Sequence, residues 1–130
     1  MKLLFIFTHL LLFKHCSQLT DSVDLRIYNN SKYYIKKYII TINKVEYPFF
    51  NIASKTYSKT DRLPYIYDSN MSELTILRKK ILGRSHVVRE LEWPVDNIGD
   101  KKIKSGKTTL ILNITFGHNK LKTETSLKQE

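Results

Sequence analysis

Residues 108–116 read TTLILNITF, and this stretch predicts a β-strand. Leu110, Leu112, Ile114 and Phe116 occupy alternate positions, and the residues between them are mainly threonine and asparagine. Apolar residues at every second position are typical of a strand that buries one face and exposes the other. The stretch therefore predicts a sheet that packs against a core on one side.

The same alternation recurs along the chain on both sides of short turn signals. Asn43-Lys44 lies between two such runs and predicts a two-residue hairpin turn, because asparagine tolerates a positive φ. The predicted strands lie at 23–28, 33–42, 45–50, 64–67, 73–77, 87–95 and 108–116. No long amphipathic helix interrupts this pattern. Seven or eight short strands predict an all-β fold, a single antiparallel β-sandwich.

The composition agrees with an all-β fold. The chain holds 14 isoleucines, 11 threonines and 8 tyrosines but one alanine, Ala53. β-Branched and aromatic side chains favour strands, whereas alanine favours helices. An AT-rich genome would also encode many Ile, Lys, Asn and Tyr residues. Part of the strand signal and part of the positive charge can therefore reflect codon usage.

Three segments are expected along the chain. Residues 1–17 carry a short basic start and the apolar run Leu3–Phe13, which is typical of a signal peptide and too short to span a bilayer. Residues 18–116 form the β-sandwich domain. Residues 117–130 are polar and are predicted to be a disordered tail. The alternative for the first segment is an uncleaved membrane-anchoring end.

The leader predicts a secreted, extracellular protein without a transmembrane segment. Cys16 is the only cysteine, so cleavage after it would leave no disulfide, and stability would come from an ordinary core. Asn29, Asn70 and Asn113 each begin an Asn-X-Ser/Thr triplet, and they are the predicted glycosylation sites. In a chain rich in Asn and Thr, such triplets also arise by chance.

The chain is strongly basic. It has 22 Lys and Arg against 12 Asp and Glu, a formal net charge of +10. Removal of the leader would leave a net charge of +8. Such a surface attracts phospholipid head groups, sulfated glycans or nucleic acid without choosing among them.

Clusters of basic residues are the candidate anion-binding site. The residues assigned to it are Arg78, Lys79, Lys80, Arg84, Lys101, Lys102 and Lys104. Lys55, Lys59 and Arg62 form a further cluster outside this assignment. Each Lys or Arg near an anionic bilayer adds about 1 kcal/mol to binding. The alternative for every cluster is an ordinary solvated loop.

The sequence does not indicate an enzyme. After leader cleavage His86 and His118 are the remaining histidines, and no cysteine nucleophile remains. Zinc needs clustered Cys, His or carboxylate ligands and calcium needs converging carboxylates, but the acidic residues are scattered. We expect no catalytic residues, no metal and no cofactor.

Parts of residues 38–116 resemble a C2 domain. The residues that carry the resemblance are Tyr38–Val45, Leu63-Pro64-Tyr65, Glu73–Ile76, Ile81–Arg84 and Trp93–Ile98. The resemblance implies a C2-like β-sandwich. Arg78 and Lys80 stand where calcium-binding members carry aspartates, so it implies a calcium-independent domain.

Together these features predict a secreted, non-enzymatic protein that binds anionic lipid or sulfated glycan through basic loops, independently of calcium. The alternative is a protein–protein interaction module or effector whose charge is incidental and whose contact is an apolar patch around Trp93. An enzyme of unknown type, dependent on His86, is a third hypothesis. Nucleic acid is an unlikely partner, because the tyrosines fall on predicted strands.

Overall fold

A computed structural model describes residues 21–79, 85–92, 101–118 and 120–130 of the chain. The predicted signal peptide, residues 1–17, lies outside the described residues. Within the described residues every regular element is a strand. The all-β prediction is therefore confirmed. None of the described residues forms a helix long and apolar enough to cross a membrane.

The described strands number ten in chain order. They are β1 (Val23–Asn29), β2 (Tyr34–Ile42), β3 (Val45–Ile52), β4 (Asp61–Leu63), β5 (Ile66–Tyr67), β6 (Met71–Lys79), β7 (Ser85–Glu92), β8 (Lys102–Ile103), β9 (Gly106–Gly117) and β10 (Lys120–Gln129).

The strands form three sheets. Sheet A has the order β10-β9-β1-β4, sheet B has the order β3-β2-β6-β7, and sheet C is the short pair β5-β8. The pairs are antiparallel except β1 with β9, which run parallel from Val23↔Gly106 to Asn29↔Leu112. Sheet A is thus mixed, which differs from the predicted purely antiparallel arrangement.

One core joins sheets A and B. It contains Leu25 and Ile27 of β1, Ile40 of β2, Ile76 of β6 and Leu110 of β9, none of them exposed. These side chains come from the inner faces of both sheets, an arrangement consistent with the predicted β-sandwich. Full burial of one such aliphatic side chain contributes about 1.5–3 kcal/mol.

The hairpin between β2 and β3 shows how the sequence fixes the register. Asn43 and Lys44 have φ values of 50° and 64°, which is the left-handed geometry of a type I′ turn. The turn pairs Ile42 with Val45 and then continues to Ile35↔Ile52. The predicted two-residue hairpin is confirmed.

The polar end of the chain is a strand and not a disordered tail, so that prediction is wrong. β10 pairs with β9 along its whole length, from Lys120↔Gly117 to Gln129↔Thr108. Its alternate residues Leu121, Thr123, Thr125 and Leu127 are half-buried, while Lys122, Glu124 and Ser126 between them are exposed. An edge strand buries one face and pairs on one side, so it needs few apolar residues.

Asn29 ties sheet A to sheet B at the end of β1. Its Nδ2 donates to the carbonyl oxygens of Tyr33 at 2.7 Å and Ile52 at 3.0 Å. Its Oδ1 accepts from the backbone nitrogen of Ser31 at 3.1 Å and from the Ser31 hydroxyl at 2.6 Å. All four hydrogen-bonding positions of this buried amide are filled, so its burial carries no desolvation penalty for an unpaired group.

Candidate anion-binding site

The predicted basic residues near position 102 surround β8. Lys101, Lys102 and Lys104 are exposed. The Lys102 ammonium lies 4.1 Å from the ring centroid of Tyr65 and 5.6 Å from that of Tyr67. This cation–π contact holds the Lys102 ammonium against the two rings, so its charge already interacts with the protein.

The described members of the predicted cluster near position 78 lie at the C-terminal end of β6. Arg78 and Lys79 pair with His86 and Ser85 in the β6–β7 ladder, while Lys80 and Arg84 lie outside the described residues. Lys102 pairs with Tyr67, which a tight turn joins to the start of β6. The length of β6, about 27 Å at the usual rise per residue, therefore separates the two clusters. The structure therefore does not bring the described members of the predicted set, Arg78, Lys79, Lys101, Lys102 and Lys104, together as one site.

The outer face of sheet A carries a different set of charged residues. Register places Lys128, Thr109 and Arg26 in one row across β10, β9 and β1. The neighbouring row contains Lys107, Asp24 and Arg62. Further exposed cations come from β10 and from the segment before β4, namely Lys120, Lys122, Lys55 and Lys59.

Arg26 is the most constrained cation of this face. Its Nε donates to Thr109 Oγ1 at 3.1 Å, and its guanidinium carbon lies 4.0 Å from the ring centroid of Tyr57. Tyr57 packs against Tyr28, with 4.7 Å between the ring centroids, and remains 51% exposed. The guanidinium is thus oriented by a hydroxyl and an aromatic ring before any ligand arrives.

Glu130 follows β10 and reaches the same arginine. Its backbone nitrogen donates to the Lys107 carbonyl at 2.9 Å, which extends the ladder by one residue. Its carboxylate accepts from the Arg26 guanidinium and, at 3.2 Å, from the Thr109 hydroxyl. The Thr109 hydrogen bond, followed by the hydrogen bond and charge of Arg26 and the charge of Lys107, holds the pKa of Glu130 below its ordinary value.

An open cavity of about 210 Å³ adjoins Arg26. Two cations and two carboxylates meet there, and one ion pair at its edge joins Arg62 Nε to Asp24 Oδ1 at 3.2 Å. The residues that line the cavity are Asp24, Arg26, Thr60, Lys107, Thr108 and Glu130. The cavity is therefore polar and suits a small charged group.

A second carboxylate of the same face is paired further along β10. Lys122 Nζ lies 2.9 Å from Glu124 Oε1. The hydrogen bond between these side chains, with the attraction of their charges, raises the pKa of Lys122 and lowers that of Glu124. Both groups are exposed, so the pair adds little to stability.

The outer face of sheet B is more apolar. Phe50 and Leu91 are 58% and 51% exposed. Lys37 Nζ and Glu73 Oε1 lie 3.9 Å apart on the strands between them. Trp93, the residue around which an apolar patch was predicted, lies outside the described residues.

The three predicted glycosylation sites differ in access. The Asn29 nitrogen that would carry the glycan is buried and donates two hydrogen bonds, so a glycan there is incompatible with this fold. Asn70 Nδ2 donates to the Tyr67 carbonyl at 2.7 Å. Asn113 is half-buried on the outer face of sheet A, where its Oδ1 accepts from Asn30 Nδ2 at 2.6 Å. Asn70 and Asn113 are both half-buried, so they are more accessible than Asn29.

The described part of the chain contains no cluster of three or more His, Cys, Asp or Glu side chains that could bind a metal ion. His118 is exposed in the turn between β9 and β10, where its φ is 48°. His86 belongs to β7 and pairs with Arg78, which places it near the far end of sheet B.

The chain was compared with protein-family models, curated proteins and solved structures, and none of them matches it. The assignment of the site therefore depends on the contacts and distances described above.

The sequence patterns missed Arg26, Lys107 and Lys128. Thr109 and Glu130, which both contact Arg26, are 83 and 104 positions away from it. The available signal was the polar half of the alternation in 23–29, where Arg26 falls on the solvent face. The cluster of Lys55, Lys59 and Arg62 was recognised but was not assigned to the site.

Proposed function

We propose that the protein is a secreted, non-enzymatic module that binds a sulfated glycan chain on the outer face of sheet A. The observation that carries the proposal is the orientation of Arg26 by Thr109 and Tyr57 beside the cavity. A guanidinium held in place loses less side-chain entropy when it binds an oxyanion. The proposal keeps the predicted ligand chemistry and moves the site away from Arg78–Arg84 and Lys101–Lys104.

The spacing of the cations suits a linear polymer. Lys122 and Lys128 lie six residues apart on β10, a distance of about 20 Å at the usual strand rise. Lys107 and Arg26 lie on the next two strands, at steps of about 4.8 Å. A chain that bears several sulfates can contact these cations together, and each contact releases counterions and makes binding dependent on salt.

The carboxylates of the face favour a glycan chain over an anionic bilayer. Asp24, Glu124 and Glu130 lie among the cations. A flat anionic membrane would meet these carboxylates and the cations at once, whereas a narrow chain can follow the cations. The exposed ring of Tyr57 adds an apolar platform beside Arg26 on which one face of a sugar can rest.

The remaining predictions concern the location, the calcium independence and the topology of the protein. Secretion stays a prediction from the leader, and the proposal depends on it because sulfated glycans occur outside the cell. Calcium independence and a C2-like topology stay predictions.

Binding of a sulfated hexasaccharide, measured by calorimetry at 50 and 150 mM salt, tests the proposal. We expect affinity to fall steeply with salt, and K107E/K128E to weaken it about tenfold or more, since two exposed cations become anions. K79E/K80E and K101E/K104E change the net charge equally, within the two predicted clusters, and should weaken it less than threefold.

Each alternative has its own outcome in this experiment. If K79E/K80E or K101E/K104E has the larger effect, the site lies in that cluster and not on sheet A. Stronger binding to anionic liposomes or to single-stranded DNA than to the hexasaccharide would replace the glycan as the ligand. No salt-dependent binding to any polyanion would favour the protein–protein module, whose contact would be the apolar face with Phe50 and Leu91.

A further inference from the structure

The carboxylate of Glu130 occupies the place where an oxyanion would bind. It accepts hydrogen bonds from the Arg26 guanidinium and the Thr109 hydroxyl, beside the charge of Lys107. A guanidinium fork, a hydroxyl and an ammonium are the donors that sulfate and phosphate groups also use. The site is therefore filled by an anion that belongs to the protein.

The donors do not depend on Glu130 for their positions. Arg26 has its own contacts with Thr109 and with the Tyr57 ring, and Thr109 is held by the pairing of β9 with β1. Removal of the carboxylate would leave both donors oriented toward the position it occupied, and Arg26 also lines the cavity.

Glu130 itself is less firmly held than the donors. It follows the last residue of edge strand β10, and one backbone hydrogen bond, from its nitrogen to the Lys107 carbonyl, fixes its main chain. The Arg26 and Glu130 side chains are each 37% exposed, and exposed ion pairs are weak and weakened further by salt. The end of a strand also opens more readily than its centre.

We propose that Glu130 is an internal competitor, and that a sulfate group of the glycan displaces its carboxylate from Arg26 and Thr109. The displaced carboxylate moves into solvent, while the sulfate accepts hydrogen bonds from the same two donors and pairs with Lys107. This inference rests on the proposed function, because it names the group that must leave when the ligand binds. Competition of this kind lowers affinity for isolated anions and favours a chain whose other sulfates contact Lys128 and Lys122.

The competitor is tested by E130Q in the full chain, with E124Q as the matched control. Both variants remove one negative charge from the outer face of sheet A, but Glu124 pairs with Lys122 and does not contact Arg26 in the structure. For the sulfated hexasaccharide at 150 mM salt we expect E130Q to raise affinity about two- to fivefold, the range set by a weak exposed ion pair. E124Q should raise it less than 1.5-fold, because the Lys122 and Glu124 side chains are about two-thirds exposed and Glu124 blocks no donor that other contacts hold in place.

A double variant separates the competitor from a general charge effect. The gain of R26Q/E130Q over R26Q should be smaller than the gain of E130Q over the unaltered protein, because the carboxylate then blocks Thr109 but no guanidinium. Equal gains in E130Q and E124Q, or an undiminished gain of R26Q/E130Q over R26Q, would overturn the inference. Inorganic sulfate and anionic liposomes serve as further probes, and a larger gain for liposomes than for the hexasaccharide would assign the oxyanion to a lipid head group.

Failure of the two proposals can be told apart. If the unaltered protein binds the hexasaccharide and E130Q gives no gain, the competitor is rejected and the glycan site remains. If neither protein binds any oxyanion probe, both are rejected.

Discussion

The outer faces of sheets A and B are built on the same strand geometry but expose different chemistry. Sheet A exposes charged side chains that contact one another across strands, from Arg62 and Asp24 to Arg26 and Glu130. Sheet B exposes Phe50 and Leu91 at its two edge strands, with Lys37 and Glu73 between them. A sandwich needs one buried face per sheet, so each outer face is free to carry a function.

The comparison also shows how orientation differs from charge alone. The lysines around β8 are exposed, but they belong to a two-stranded pair and lie far from Arg78 and Lys79. Arg26 is one cation, yet Thr109 and Tyr57 hold it in a set direction. A net positive charge attracts polyanions in general, and the proposed site adds donors that are held in place on sheet A.

The largest expected effect comes from breaking the link between the two sheets. N29A removes an amide that donates to the Tyr33 and Ile52 carbonyls, and should lower the free energy of unfolding by about 3 kcal/mol, since buried acceptors lose their donors. Urea denaturation measures this loss. N30A, which changes the exposed neighbouring amide, should cost no more than about 0.5 kcal/mol. Equal losses in the two variants would show that Asn29 does not join the sheets.

A smaller effect is expected from the aromatic platform of sheet A. Y57A removes the ring against which Arg26 lies and should weaken hexasaccharide binding about two- to fivefold, the range of an exposed cation–π contact. Y57F keeps the ring and should bind like the unaltered protein. The idea fails if Y57A binds normally, or if Y57F loses as much affinity as Y57A.

The smallest effect is expected on sheet B. F50S/L91S changes two side chains that are each more than half exposed. It should change hexasaccharide affinity less than twofold and lower the free energy of unfolding by about 1 kcal/mol or less. The two quantities come from calorimetry and urea denaturation of the same samples. A tenfold loss of glycan affinity would mean that the two faces do not act separately.

Local patterns predicted most of the strands. Alternation marked β1, β2 and β9, and Asn43-Lys44 marked the hairpin, because both signals depend on neighbouring residues. The same rule was applied too narrowly at 120–129, where two of the inward positions are threonines, Thr123 and Thr125, which carry little hydrophobic signal. This segment forms a strand because it pairs with the edge of β9, and its own sequence contributes little to that preference.

The site was harder to predict than the fold. Arg26, Lys107 and Lys128 come together through the parallel pairing of β1 with β9 and the antiparallel pairing of β9 with β10. Parallel pairing joins distant segments and leaves no turn signal in the sequence. The basic residues at 78–80 and 101–104 were conspicuous because they lie close together in the sequence, whereas Arg26, Lys107 and Lys128 belong to three different strands.

The most direct test of the central claim is to map backbone amide chemical shifts while a sulfated hexasaccharide is added to the isotope-labelled protein. We predict that the largest changes fall in residues 24–28, 107–111 and 124–130, the segments that carry Arg26, Lys107, Thr109, Lys128 and Glu130 on the outer face of sheet A. Residues 45–52 and 71–79 of sheet B should change little. Changes centred on 78–85 or 101–104 would contradict the account and return the site to the clusters of adjacent lysines.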